Sequence, residues 1–125
     1  MPNSTAQETL IADTYAKAGL SMKPTKYFEA HGTGTAVGDP LECTALGNAF
    51  RKVRTLRDPL HVGALKSNIG HLEGASGIAG VIKSVLVLEK GIIPPNVSFE
   101  KINPKIDAEF LRNKVSFPLT SINNL

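Results

Sequence analysis

Apolar positions recur at helical spacing in three stretches of the chain, and shorter apolar runs separate them. Leu10, Ile11, Tyr15 and Ala18 share one face, Thr5 and Glu8 stand at capping-box spacing, and Gly19 ends the run, so residues 5–18 read as a helix. Pro24 then breaks the chain, and KYFEA (26–30) reads as a short strand. In the next periodic stretch Asp39 stands as cap, Pro40 at N1 and Glu42 at N3. Leu41, Ala45, Leu46, Ala49, Phe50 and Val53 line one face, which predicts a helix over 40–53. A turn at Asp58-Pro59 leads into LHVGALK (60–66), a second strand that ends in an SNIGH loop. A third helix runs from Gly74 to Lys90, with Ile78, Val81, Ile82, Val85 and Leu88 as its apolar stripe. Gly74, Gly77 and Gly80, with Ala75 and Ala79, leave its first turns almost bare. Glycine costs a helix about 1 kcal/mol relative to alanine, so this stretch is expected to pack closely against another backbone. After Gly91 three prolines and no period predict an extended connection over 92–107, and KVSFPL (114–119) reads as a last, edge strand because Pro118 cannot donate.

The order helix, strand, helix, strand, helix implies an α/β layered domain. With 125 residues the chain suffices for one domain, its motif core at 26–90 and its C-terminal connection at 91–125. The net charge of +3 is too small, and the aromatic share of 6% too low, for a nucleic-acid surface. The one basic cluster, RKVRTLR (51–57), reads as a solvated helix end. Cys43 is the single cysteine, so no intramolecular disulfide forms, which fits a reducing compartment. MPNSTAQETL has neither the basic nor the apolar region of a secretory leader, and no apolar run approaches the roughly 20 residues that span a bilayer. No membrane partner and a cytoplasmic location are therefore expected, and the glycosylation patterns at Asn3 and Asn96 carry no weight without a leader.

Candidate chemistry concentrates in two glycine-rich loops. EAHGTGTAVGDPLE (29–42) presents His31, and KSNIGHLEGASG (66–77) presents His71. Each follows a short strand and precedes a helix, and ligand sites in α/β sheets gather at the carboxyl ends of strands. Two histidines converging there can hold a developing oxyanion or move a proton. Thr33 and Thr35 add hydroxyls. His61, inside a strand, reads as structural. G-T-G-T is not a dinucleotide fingerprint and no Walker pattern is present, so nucleotide binding is disfavoured. No metal is expected, since His31, His71 and Cys43 lack ligand-like spacing. Cys43 lies among helix packing positions, with no glycine elbow to present it, and reads as an inert thiol.

EAHGTGTAVGDPLE and VGALKSNIGHLEGASGIAG resemble the two histidine motifs of β-ketoacyl synthases, most closely the ketosynthase domains of fungal-type polyketide synthases. MPNSTAQETLIADTYAKAGL and IIPPNVSFEKINPKID resemble the segments flanking them, so the likeness covers nearly the whole chain. It implies part of the C-terminal half of a thiolase-like fold. It implies that His31 and His71 belong to a Cys-His-His triad that stabilises the enolate left when a malonyl thioester loses carbon dioxide. Lys66 then supports the site electrostatically with Glu73 as acidic companion, Thr33 and Thr35 contact a phosphopantetheine arm, and Asn68 shapes the second loop. No bound cofactor is implied. The substrate is a phosphopantetheine- or CoA-linked acyl or polyketide thioester, and the partner an acyl carrier protein.

The family's D-T-A-C-S-S nucleophile motif and its G-F-G-G motif are absent from this sequence. Without the thiolate that carries the growing acyl chain, complete Claisen condensation is not expected from this chain alone. The expected alternatives are acid/base or oxyanion chemistry on a thioester (hydrolysis, isomerisation or cyclisation), a non-catalytic fragment or carrier-protein binding module, or the C-terminal half of a split condensing enzyme. Surface that the missing half would cover also makes self-association an expectation.

Overall fold

A computed structural model of the chain describes residues 3–97, 99–115 and 120–121. In chain order its elements are α1 (Ser4–Ala18), β1 (Tyr27–Glu29), α2 (Gly38–Phe50), β2 (Leu60–Gly63), α3 (Lys66–Ile69), a 3-10 turn (Glu73–Ala75), α4 (Ser76–Lys90), β3 (Ile92–Ile93), α5 (Ala108–Leu111), β4 (Asn113–Val115) and β5 (Thr120–Ser121). β1, β2 and β4 form a parallel sheet in that spatial order, with Tyr27 opposite His61 and Leu60 opposite Asn113. β3 and β5 pair antiparallel.

Strand side chains alternate between faces, and this divides the sheet's surroundings in two. Phe28, Ala30, Leu60 and Val62 meet Leu46 and Phe50 of α2, with Ile11 and Tyr15 of α1 packed alongside. Tyr15 and Phe28 both set their rings edge-on to Phe50, at 5.9 and 6.2 Å between centroids. Tyr27, Glu29 and Gly63 point to the opposite face, where Lys83 of α4 lies against all three.

The elements form near their expected positions, but several local devices differ. The cap of α1 is Asn3, whose Oδ1 accepts from Ala6 N at 3.2 Å; Glu8 instead accepts from Asn48 Nδ2 at 3.2 Å and ties α1 to α2. α2 begins at Gly38 and ends at Phe50, so Asp39 lies inside its first turn and accepts from Gly34 N at 3.1 Å, while Thr35 Oγ1 takes Gly38 N at 3.0 Å. β2 stops at Gly63 because the chain coils into α3, which puts Lys66 on a helical turn rather than a strand. The basic cluster is not simply a solvated helix end. Arg54 is only 2% exposed, bonded to Asp58 Oδ2 at 3.0 Å and to the Lys23 carbonyl, and the Arg51 guanidinium sits 4.3 Å from the centre of the Phe110 ring. The C-terminal connection over 91–125 also holds a turn of helix, α5, just past the extended stretch and capped by Asp107 Oδ1 on Phe110 N. Of the expected last strand, residues 114–115 lie in β4 and 116–119 fall outside the described residues.

The largest departure is the orientation of α4. Its predicted packing stripe faces outward: Ile78 is 67% exposed, Leu88 75%, and Val81, Ile82 and Val85 more than half. Its buried residues are Lys83 and Val87. The close backbone approach inferred from its glycines is likewise not made among the described residues. A Cβ at Gly74 or Gly77 meets nothing within 4 Å, and one at Gly80 reaches only Glu29 Cγ at 3.4 Å. No helix among the described residues is long and apolar enough to cross a membrane.

His61 is the buried strand residue the pattern implied. Burial holds its imidazole below the ordinary value, Lys114 and Lys26 adding to the effect and Asp58 opposing it. As pH falls, the folded protein therefore takes up this proton later than the unfolded chain. The contribution to stability is complete above the unfolded value near 6.5 and is lost below it. The melting temperature should fall between about pH 7.5 and 5.5, and His61→Asn should flatten that part of the profile. An equal slope in the variant would assign the effect to other groups.

Candidate functional site

The first loop leaves the sheet directly. Ala30 N donates to Gly63 O at 2.8 Å as the last rung between β1 and β2, and His31 follows. Glu42 reaches back from α2 to hold the loop, its Oε1 accepting from His31 N at 2.6 Å and its Oε2 from Gly32 N at 2.9 Å. Gly32 has φ +48° and lies against Ala64, a conformation and a fit that a side chain would oppose. Thr33 and Thr35 follow with hydroxyl oxygens 3.4 Å apart, that of Thr35 already accepting from Gly38 N.

The second loop is held from two sides. Glu29 Oε1 accepts from Leu65 N at 2.6 Å, and Asn96 Oδ1 accepts from Ala64 N at 3.0 Å. Asn96 is buried, so its glycosylation pattern coincides with an anchor that no glycan can occupy without dislodging it. Asn68 also holds this loop: Nδ2 donates to Pro95 O at 3.4 Å, and Oδ1 accepts from Ser67 Oγ at 2.7 Å. Gly70, at φ +78°, ends α3 and turns the chain into His71. His71 Nδ1 accepts from Glu73 N at 2.9 Å and lies 3.1 Å from Ser76 Oγ. Glu73 thus contributes a backbone N–H; no ion pair joins its carboxylate to Lys66.

Lys66 joins the two loops. Its Nζ donates to the His31 carbonyl at 2.6 Å and lies 3.3 Å from His31 Nδ1. The imidazoles meet edge to face, 5.6 Å between centroids and 87° between planes. An ammonium has only donors, and a backbone amide only its N–H, so both Nδ1 atoms act as acceptors and each neutral ring carries its proton on Nε2. His31 borders a cleft of about 440 Å³ with Leu65, Ile69, Leu72 and Ser76. His71 borders a second, of about 710 Å³, with Thr33, Glu42, Cys43, Asn96 and Lys101. Lys66, Ala30 and Gly70 line both, so the two clefts adjoin. Cys43 lies within reach of neither imidazole in any bond the structure shows. Burial, then the charges of Glu42 and Asp39, push its thiol up to about 11. Among the described residues no three His, Cys, Asp or Glu side chains cluster as metal ligands would.

Sequence reasoning passed over Glu29, Glu42, Lys83 and Asn96. Glu29 and Glu42 bracket the first motif and read as a strand residue and a helix N3 residue. Lys83 interrupts an otherwise uncharged run, residues 76–88 of α4, and that oddity was the available signal.

A profile of the family described as β-ketoacyl synthase, C-terminal domain, matches residues 1–100. A reducing polyketide synthase of Alternaria solani is 66% identical over 107 residues, which cover 86% of this chain and 5% of that protein. A highly reducing polyketide synthase of Pyricularia oryzae is 53% identical over 128 residues, covering 99% of this chain and again 5% of the relative. The chain thus spans about one twentieth of the length of these curated relatives. Among solved structures, an oxazolomycin ketosynthase domain from Streptomyces albus superposes with a TM-score of 0.88 at 36% identity, over 97% of this chain and 22% of that one. Ketosynthase twelve of the bacillaene polyketide synthase from Bacillus amyloliquefaciens gives 0.88 at 31% identity, over 98% of this chain and 22% of its own. The fold is accordingly the C-terminal part of a thiolase-like ketosynthase.

Glu42 offers a direct check on the first loop. Glu42→Ala removes the acceptor of two amides, and hydrogen bonds to charged groups contribute about 1.5–3 kcal/mol each when desolvated, less at a half-exposed site. Amide exchange at His31 and Gly32 should accelerate at least about tenfold in Glu42→Ala, and less in Glu42→Gln, which keeps one acceptor. Unchanged exchange in Glu42→Ala would show that the loop is held by other means.

Proposed function

Because this chain belongs to the β-ketoacyl synthase C-terminal domain family, we propose that it supplies the carbonyl-binding part of a polyketide ketosynthase site. The supporting observation is the approach of His31 and His71 with both Nδ1 atoms engaged, which leaves each ring an Nε2–H to donate. When a malonyl thioester loses carbon dioxide, the electron pair of the broken C–C bond enters the thioester enolate and charge gathers on its oxygen. Two fixed N–H donors with an ammonium behind one of them lower the energy of that charge. The substrate in this reading is an acyl or malonyl thioester on a pantetheine arm, delivered by an acyl carrier protein, with Thr33 and Thr35 beside the arm. The Thr35 hydroxyl already accepts from Gly38 N, which leaves its O–H to donate.

Condensation also needs a thiolate to carry the growing chain. Cys43, held protonated by burial and two carboxylates, does not suit that task. The same donors suit hydrolysis, isomerisation through a dienolate, or cyclisation of a bound thioester. A malonyl-pantetheine thioester incubated with the protein, its products followed by mass spectrometry, tests the assignment. His31→Ala and His71→Ala should each reduce turnover by about a hundredfold or more, the usual cost of one oxyanion donor, while Cys43→Ala leaves it unchanged. Turnover no higher than in buffer, or equal in all variants, would overturn it.

A second reading has its own support in the outward apolar stripe of α4 and the exposure of both rings. A contiguous exposed apolar face marks an interface, and an exposed oxyanion site is weakened by water. In this reading the chain is the C-terminal half of a condensing site that another segment covers and supplies with its thiolate. Mixing it with the N-terminal half of a ketosynthase should then yield condensation that neither part shows alone. Absence of both complex formation and activity would remove this reading.

A further inference from the structure

Beneath the histidine pair lies a buried ionic cluster that the oxyanion chemistry does not use. The Glu29 side chain, about 10% exposed, ends β1 two residues before His31. Its Oε1 accepts from Leu65 N at 2.6 Å. Its Oε2 accepts from the Tyr27 hydroxyl and lies 2.8 Å from Lys83 Nζ. The Lys83 ammonium, 7% exposed, has this charge contact but no aligned hydrogen bond. Gly63 makes room for the cluster, since a Cβ there would stand 2.5 Å from the Tyr27 oxygen and 3.1 Å from Lys83 Nζ. Burial, then the hydrogen bond to Glu29 and its charge, push the Tyr27 phenol far above its usual value, so it remains a donor.

The geometry places this carboxylate between the two loops. Leu65 N is the amide next to Lys66, whose ammonium reaches the carbonyl and Nδ1 of His31. The last sheet rung is Ala30 N to Gly63 O, and beyond it the sheet no longer ties the loops together. The Glu29–Leu65 bond is the next tie outward. Asn96 binds Ala64 N and Ser67 Oγ, both within the second loop, and among the described residues no hydrogen bond joins it to β1. We infer that Glu29, with Lys83 as its counter-ion, is a positioning residue for the histidine pair. It locks the Leu65–Ile69 turn to the end of β1, and thereby keeps Lys66 on His31 and His71 edge-on to it. The inference rests on the oxyanion reading for its purpose, but its test reads geometry alone.

Removing Glu29 by itself would strand a buried ammonium, which destabilises whatever the carboxylate's role. The informative comparison is between two neutral pairs. Glu29→Gln with Lys83→Met keeps an acceptor for Leu65 N; Glu29→Leu with Lys83→Met does not. The readouts are the nuclear Overhauser contact between the His31 and His71 rings, and amide exchange at Leu65. The first pair should keep the inter-ring contact and Leu65 protection. The second should keep slow exchange at Leu46 and Phe50 while losing the ring contact, with Leu65 exchange at least about tenfold faster. Should the second pair fail to fold, Glu29→Asp in the parent protein keeps the charge but shortens the reach by one methylene, and should also weaken the ring contact. An undiminished ring contact in a folded Glu29→Leu/Lys83→Met or Glu29→Asp protein would overturn the inference. Loss of thioester turnover elsewhere would not bear on it, because the ring contact needs no substrate.

Discussion

A carboxylate taken out of water must find donors, and in this protein that requirement organises one whole face of the sheet. Glu29 recruits Tyr27 from its own strand, Lys83 from α4 and the Leu65 amide from the second loop. Lys83 sits about midway along α4, so placing it over the sheet sets the rotation of that helix. The apolar stripe then turns outward, and the glycines of the first turns with it. The burial of Lys83, the outward turn of the α4 stripe and one of the two anchors of the second loop all meet at this buried ion pair.

The opposite face obeys a simpler rule. Phe50 and Leu46 pack on Phe28, Leu60 and Val62, and this apolar contact fixes α2 over the sheet. Because α2 is fixed, Glu42 can reach back to two amides of the first loop. Each histidine loop is thus anchored by a carboxylate from a rigid element, Glu42 for the first and Glu29 for the second, and Lys66 bridges them. Both rings have Nδ1 occupied, so both present Nε2–H.

How far the site was legible differs residue by residue. His31 and His71 were legible because each sits between a strand and a helix among glycines that serve backbone turns. Their partners were not, because Glu42 and Glu29 act across 10 to 36 residues of chain. The α1 cap went to Asn3 rather than the Thr5–Glu8 box because Glu8 is drawn to Asn48 on α2. Arg54 looked like one cation in a solvated run, yet the Lys23 carbonyl and Asp58 give a buried guanidinium its partners. α5 was invisible just past a proline-rich stretch, being a single turn whose packing of Leu111 on Gly47 involves residues 64 positions apart.

By itself the sequence determined the elements, their order and the two loops, because period, proline and glycine act within a few residues. It also carried the family likeness, since the motifs are contiguous. Only the tertiary structure decided which face of α4 is buried and that the imidazoles stand 5.6 Å apart, edge to face. It alone showed Glu73 serving through its amide. These depend on charges desolvated together from distant parts of the chain, and hydrophobic periodicity carries no record of which charges will meet.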